Sequence, residues 1–191
     1  MNLIKLTVSG VFLLFLTVAC STNPYRYVPA TNQATDPKQA IYPLSDGSVR
    51  VQYAGIQDYE VQKDQPKIKV LHLRLLTSNS SSEGVWKVDT SQFFVAFSNG
   101  QRAQVLVANP ANLEVRPGEL RGTDLLFALP EGLKSAEDFG EFDFHWEVQG
   151  VHHNYAQTTA FDRVKIEQYV ANSPYYPYYG GGMGVAWTRV Y

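Results

Sequence analysis

"FDFHWEV", residues 142–148, is the stretch that decides the fold. Large apolar side chains take every second position, and polar side chains take the positions between them. The apolar set is Phe142, Phe144, Trp146 and Val148, and the polar set is Asp143, His145 and Glu147. Because successive side chains of a strand point to opposite faces, this period predicts a strand with one buried and one solvated face. We therefore expect Trp146, Phe142 and Phe144 to lie in a core.

Similar segments recur along the chain, separated by turn signals. Alternation is found in residues 48–55, 67–76, 92–97, 102–108 and 123–130, and more weakly in 154–159 and 164–169. Asn99-Gly100 is a strong hairpin signal because both residues accept a positive φ. A short helical turn is expected at residues 133–139, but no helical pattern of about 10–15 residues separates the strands. The pattern predicts an all-β fold, an antiparallel sandwich.

Two longer segments carry a family resemblance. "VLHLRLLTSNSSSEGVWKVDTSQFFVAFSNGQ" (70–101) and "RPGELRGTDLLFALPEG" (116–132) resemble strand-and-turn segments of immunoglobulin-like domains in bacterial lipoproteins. The matching positions of the first segment are Trp86, Val88, Asp89, Ser91 and Phe93. The resemblance extends over residues 48–170 and implies an immunoglobulin-like β-sandwich. It implies no catalytic residues.

The N-terminus has the pattern of an export signal that ends in the chain's single cysteine. Residues 6–16 form an uncharged, mostly apolar run that is too short to span a bilayer, which takes about 20 residues. The following "LTVAC" (16–20) resembles the lipobox of bacterial lipoproteins. This resemblance implies that residues 1–19 are a signal peptide and that Cys20 carries the lipid, with palmitate-type acyl chains. The alternative is an incidental cysteine after an ordinary signal.

These features predict a location and a domain order. The lipid would attach the protein to a membrane of the cell envelope. In a host with two membranes, Ser21 resembles a signal for the outer membrane, facing either the periplasm or the cell surface. We expect a flexible tether over residues 20–47, the sandwich over 48–170, and a Tyr/Pro/Gly-rich tail over 171–191. Tyr25, Tyr27 and Tyr42 interrupt the polar tether and can dock part of it on the domain.

Charge and length exclude some classes of function. The chain has 191 residues, with 16 basic and 18 acidic side chains. Loss of Lys5 with the signal leaves 15 basic and 18 acidic residues, a net charge of −3. This weakly acidic balance without a basic stripe argues against nucleic acid as a partner. The length after the signal suits a single domain.

The strongest candidate for site chemistry is the polar face of residues 142–148. His145, flanked by Asp143 and Glu147, can join His152 and His153 in a metal site of nitrogen and oxygen ligands. The alternative is an ordinary solvated strand face. The sequence has no Gly-x-Ser-x-Gly elbow, and the lipid would occupy the only thiol. We therefore expect neither enzyme activity nor a cofactor.

The tail is the other candidate for binding. "NSPYYPYYGGGMG" (172–184) places Tyr175, Tyr176, Tyr178 and Tyr179 around one proline, and tyrosine is a common recognition residue. The alternative is a low-complexity tail without a binding role. The sequence as a whole predicts a non-enzymatic, membrane-anchored envelope lipoprotein that acts as an interaction or accessory module for other envelope proteins. The alternative is a lipoprotein that binds a ligand, a glycan or a metal through the tail or the His145 face.

Overall fold

The computed structural model describes residues 25–30 and 39–166, and this part of the chain is built from antiparallel strands. The 3-10 turn Thr90–Gln92 is capped by the Asp89 side chain, which accepts a hydrogen bond from the Ser91 backbone N–H. The strands are β1 Tyr25–Pro29, β2 Gln39–Leu44, β3 Gly47–Tyr59, β4 Ile68–Asn79, β5 Trp86–Asp89, β6 Phe94–Phe97, β7 Arg102–Asn109, β8 Asn112–Val115, β9 Leu120–Ala128, β10 Glu141–Gln149 and β11 Asn154–Lys165.

The strands form two layers that β7 joins. The front sheet has the order β1-β11-β10-β6, with the short β5–β8 pair beside the end of β10. The back sheet has the order β9-β4-β3-β2. The first half of β7 pairs with β6 and its second half pairs with β9, and a bulge lies between Val105 and Val107. The predicted all-β antiparallel sandwich is therefore confirmed.

The core lies between the two sheets and is rich in aromatic side chains. The apolar face of β10 is buried as the alternation predicts, with Phe142, Phe144 and Trp146 at most 3% exposed. The Trp146 Nε1–H donates to Thr159 Oγ1 at 3.0 Å, so the polar atom of this indole is satisfied inside the core. Opposite them, the back sheet contributes mainly leucines. These include Leu71, Leu73, Leu75 and Leu125.

The prediction of a flexible tether over residues 20–47 is wrong for β1 and β2. Tyr27 on β1 is fully buried, and its hydroxyl donates to the Phe139 carbonyl at 2.8 Å. Tyr42 on β2 reaches across the sandwich and donates to Thr159 Oγ1 at 2.8 Å. The prolines of this segment suggested a tether because proline is unfavourable inside a sheet. However, β1 and β2 are the two ends of the strand order, and edge strands tolerate proline.

Two smaller expectations also differ from the structure, and one strand pair was not predicted. The two weak strands expected at 154–159 and 164–169 are one continuous strand as far as Lys165. Residues 133–139 contain no helix, since the Asp138 carboxylate instead accepts hydrogen bonds from the Lys134 and Ser135 backbone N–H groups. The pair β5–β8 was not expected, because each of these strands has only four residues.

The strand registers define two ends of the sandwich. Tyr25 pairs with Lys165, and Tyr59 pairs with Ile68, at what we call the basal end. The loops 60–67, 98–101 and 129–140 lie at this end. The opposite, distal end carries the loops 45–46, 80–85, 116–119 and 150–153. The described chain therefore begins at the basal end.

Candidate functional site

The candidate site is the outer face of the front sheet, centred on His145. The alternation of β10 turns Asp143, His145 and Glu147 away from the core. Antiparallel pairing places His145 opposite Phe94 of β6 on one side and Thr158 of β11 on the other. Side chains of neighbouring strands therefore meet at the level of His145.

These side chains form a row that we call the His145 ladder: Arg102, Phe94, His145 and Thr158. The Phe94 and His145 rings are stacked, with centroids 4.2 Å apart and planes at 14°. The Arg102 guanidinium lies 5.1 Å from the Phe94 ring centroid, in cation–π range. His145 Nδ1 and Thr158 Oγ1 are 2.9 Å apart, a hydrogen bond. Because β10 and β7 flank β6, the Phe94 ring contacts a neighbour from each of these two strands.

The ladder forms a ridge between two shallow grooves. The distal groove has a volume of about 490 Å³. Its lining includes Gln92, Glu147, Ala156 and Gln157 together with the ladder residues Phe94, His145 and Thr158. The basal groove has a volume of about 290 Å³, and Ala96 and Ala160 flank Asp143 within it. The small alanine side chains leave the space that makes each groove. The described part of this sheet face is therefore grooved but contains no enclosed cavity.

The basal groove carries most of the negative charge of this face. Glu141 and Asp162 pair directly across β10 and β11, and both line the groove together with Asp143. In the described residues, however, no group of three or more His, Cys, Asp or Glu side chains is arranged to hold a metal ion. This face can attract a positively charged surface, but its geometry gives no metal centre.

The structure does not bring the predicted metal ligands together. His145 lies within β10 and contacts Phe94 and Thr158. His152 and His153 lie in the turn that joins β10 to β11 at the distal end, where the His153 ring centroid is 6.4 Å from that of Tyr155. Alternation predicted correctly that His145 points outward, but it gives no information on how far the turn carries the next two histidines.

A second polar cluster lies on the outer face of the back sheet. Asp124 of β9 accepts hydrogen bonds from Arg74 Nε at 2.9 Å and Nη2 at 3.1 Å, and its Oδ1 is 2.9 Å from His72 Nε2. The paired guanidinium holds the pKa of the Asp124 carboxyl below its ordinary value. Since the carboxylate is engaged by both neighbours, we interpret this cluster as a cross-strand ion pair that stabilises the sheet.

Two sets of predicted site residues fall elsewhere. Cys20 and the tail tyrosines Tyr175, Tyr176, Tyr178 and Tyr179 lie outside the described residues. Sequence reasoning did not identify Phe94, Arg102 or Thr158 as neighbours of His145. Alternation alone puts Phe94 on the outer face, but the pairing of β6 with β10 depends on a strand order that the sequence pattern does not give.

Comparison with known proteins yields distant structural similarities, including two solved structures. No family model matches the sequence, and no curated protein is similar to it. The crystal structure of the yjhA protein from Bacillus subtilis aligns with a TM-score of 0.36 and 11% identity, over 56% of this chain and 76% of that one. The X-ray structure of Northeast Structural Genomics Consortium target SoR45 aligns with a TM-score of 0.37 and 12% identity, over 68% of this chain and 88% of that one. The described part of the chain has no helix that is long and apolar enough to span a membrane.

Proposed function

We propose that this protein is a lipid-anchored lipoprotein of the cell envelope that binds another envelope protein and catalyses no reaction. The anchor is Cys20, which follows the apolar run in "LTVAC". The binding surface is the outer face of the front sheet. The observation that carries the proposal is the His145 ladder, a contiguous row of cationic, aromatic and hydroxyl side chains between two open grooves.

The shape of this face favours a protein over a small ligand. Sites for small molecules enclose most of the ligand surface, whereas both grooves here are shallow and lie side by side on one sheet. Arginine and aromatic residues are enriched in protein interfaces. A glycan is disfavoured because sugars stack on an open aromatic face, and the Phe94 ring is already stacked on His145 and in contact with the Arg102 guanidinium. The carboxylates of the basal groove indicate a partner with basic side chains.

The ladder residues also support a role without catalysis. His145 is hydrogen-bonded to the Thr158 hydroxyl and stacked on Phe94, and neither of these contacts supplies a carboxylate that would orient the imidazole as a base. Activation of a hydroxyl nucleophile by histidine needs a third group that orients the base, usually a carboxylate. The Asp124 cluster of the back sheet does contain a histidine and a carboxylate, but Arg74 neutralises that carboxylate.

A pair of matched substitutions tests the binding surface. Ala156 is exposed in β11 and lines the distal groove, whereas Ala54 is exposed in β3 of the back sheet. Ala156→Arg should fill the groove and abolish crosslinking to the partner in intact cells, and Ala54→Arg should leave the crosslink unchanged. Both variants should unfold at nearly the same denaturant concentration as the parent. Equal crosslinking by the two variants would contradict the assignment of this face.

The anchor has its own test. Mass spectrometry of the N-terminal peptide from the purified membrane-bound protein should find a chain that begins at Cys20 and carries acyl chains. An unmodified Cys20, or cleavage at another residue, would refute the lipoprotein assignment and would leave the binding surface to be judged by the substitutions alone.

A further inference from the structure

The start of β1 limits how far the domain can lie from a membrane. We propose that the basal end of the sandwich lies against the lipid headgroups, held there by a spacer of only four residues, 21–24. This inference rests on the proposed anchoring at Cys20 and adds the surface that the bilayer contacts. A tether as long as residues 20–47 would instead let the domain move freely above the membrane.

Covalent geometry sets the reach of the spacer. The path from Cys20 to Tyr25 covers five residue steps, which span at most about 18 Å in any conformation. The headgroup region accounts for about 5–8 Å on each side of a bilayer, so Tyr25 lies within roughly 10–13 Å of the headgroup surface. The long strands β3 and β4 extend about 40 Å at the usual rise per residue. The spacer is thus short compared with the domain.

The residues that follow Tyr25 do not lengthen the spacer, because β1 is held in the sandwich. Its five residues pair with β11 from Tyr25↔Lys165 to Pro29↔Phe161. The Arg163 guanidinium lies 4.6 Å from the Tyr25 ring centroid, and its Nη1 donates to the carbonyls of Ala136 and Glu137 at 3.1 and 3.0 Å. The spacer therefore joins the domain directly beside the loop 129–140.

The basal surface combines an exposed apolar residue with charges of both signs, so we expect it to bind a membrane only weakly by itself. In loop 60–67, Val61 is 45% exposed and is close in sequence to Lys63 and Lys67. Acidic residues occur at the same end, and Lys69 is paired with Asp58 at 2.9 Å. Because charges of both signs are present, attraction to anionic lipid is weak. The contact should therefore depend on the spacer.

Hydrogen exchange on a chemically anchored chain tests the contact. The mature chain, beginning at Cys20, is coupled through its thiol to a maleimide phospholipid in vesicles of phosphatidylcholine and phosphatidylglycerol. Amides in loops 60–67 and 129–140 should exchange several-fold more slowly than in the uncoupled chain mixed with the same vesicles. Amides in the distal loops 80–85 and 116–119 should exchange at unchanged rates, and they serve as the internal control.

A spacer variant completes the test. An insertion of about twenty Gly and Ser residues after Pro24 gives a flexible tether with a mean reach of about 25 Å, which should remove the protection of the basal loops. Protection that persists in this variant, protection of the distal loops, or no protection in the parent would each overturn the proposal. Chemical coupling separates the two hypotheses: an unmodified Cys20 in cells contradicts the proposed anchoring, whereas unprotected basal loops on coupled chains contradict the membrane contact.

Discussion

Replacing Tyr27 with alanine is expected to lower the free energy of unfolding by about 4–6 kcal/mol, because large aromatic-to-alanine changes in a core cost about 3–5 kcal/mol and a hydrogen bond about 1 kcal/mol. The Tyr27 ring is fully buried and stacks on Phe139 at a centroid distance of 5.1 Å, with Tyr53 edge-on at 5.3 Å. Its hydroxyl donates to the Phe139 carbonyl at 2.8 Å. The substitution would therefore remove ring packing and leave a buried acceptor unpaired.

Two further variants separate these contributions. Tyr27→Phe keeps the ring contacts and loses only the hydroxyl, so it should cost about 1–2 kcal/mol. Val28→Ala, at the half-buried neighbouring position of β1, should cost less than about 1 kcal/mol. Guanidinium unfolding of the chain from residue 21, followed by tryptophan fluorescence, gives all three values. Equal losses of unfolding free energy in Tyr27→Ala and Val28→Ala would show that β1 is not part of the core. Losses near zero in both would support a flexible tether instead.

Three other changes test the core and its polar contacts. Trp146→Ala should cost about 3–5 kcal/mol in the same assay, whereas Asp143→Ala on the solvated face of β10 should cost little, and equal losses would contradict the alternation. Asn79→Ala should cost about 3 kcal/mol, because Nδ2 donates to the Gly84 and Val115 carbonyls, and replacing it with Asp should not restore these bonds. Burial raises the pKa of Tyr53 to about 12, and an unfolded tyrosine ionises near 10, so above about pH 10 only the unfolded state releases this proton. The free energy of unfolding should therefore fall as the pH rises from 10 to 12, and it should fall less steeply in Tyr53→Phe. Parallel pH profiles of the parent and Tyr53→Phe would show that ionisation of Tyr53 is not the cause.

The alternation of apolar and polar residues was sufficient to predict the inner strands but not the edge strands. It identified most of β3, β4, β6, β7, β9 and β10, and the buried side of all of them except β7, because half-buried strands repeat with a period of two. It missed β1 and β2, whose residues Pro29 and Pro43 are unfavourable inside a sheet but acceptable at its edge. Edge position is a property of strand order, and local sequence does not encode it.

The candidate site was predictable only in part for the same reason. The outward direction of His145 follows from one strand. Its contacts with Phe94 and Thr158 follow from the pairing of three strands, in which β6 and β11 flank β10. Phe94 and His145 are distant in sequence and come into contact only when the strand order and register are fixed. No spacing motif in the sequence therefore predicts their contact. The turn at 150–153 likewise decides where His152 and His153 lie.

The pairing of β1 with β11 has a consequence for how the chain reaches its folded state. β1 is synthesised before every other strand described here, but its partner β11 is the last of them to be made. Pairing between such distant segments is slow, since much of the loop entropy must be lost before the contacts form. Until residue 165 is present, the pocket for Tyr27 is incomplete and β10 lacks the neighbour that covers its edge. A growing chain therefore exposes aromatic core residues for most of its synthesis, and protection by a holding chaperone would serve it until the final strand closes the sandwich.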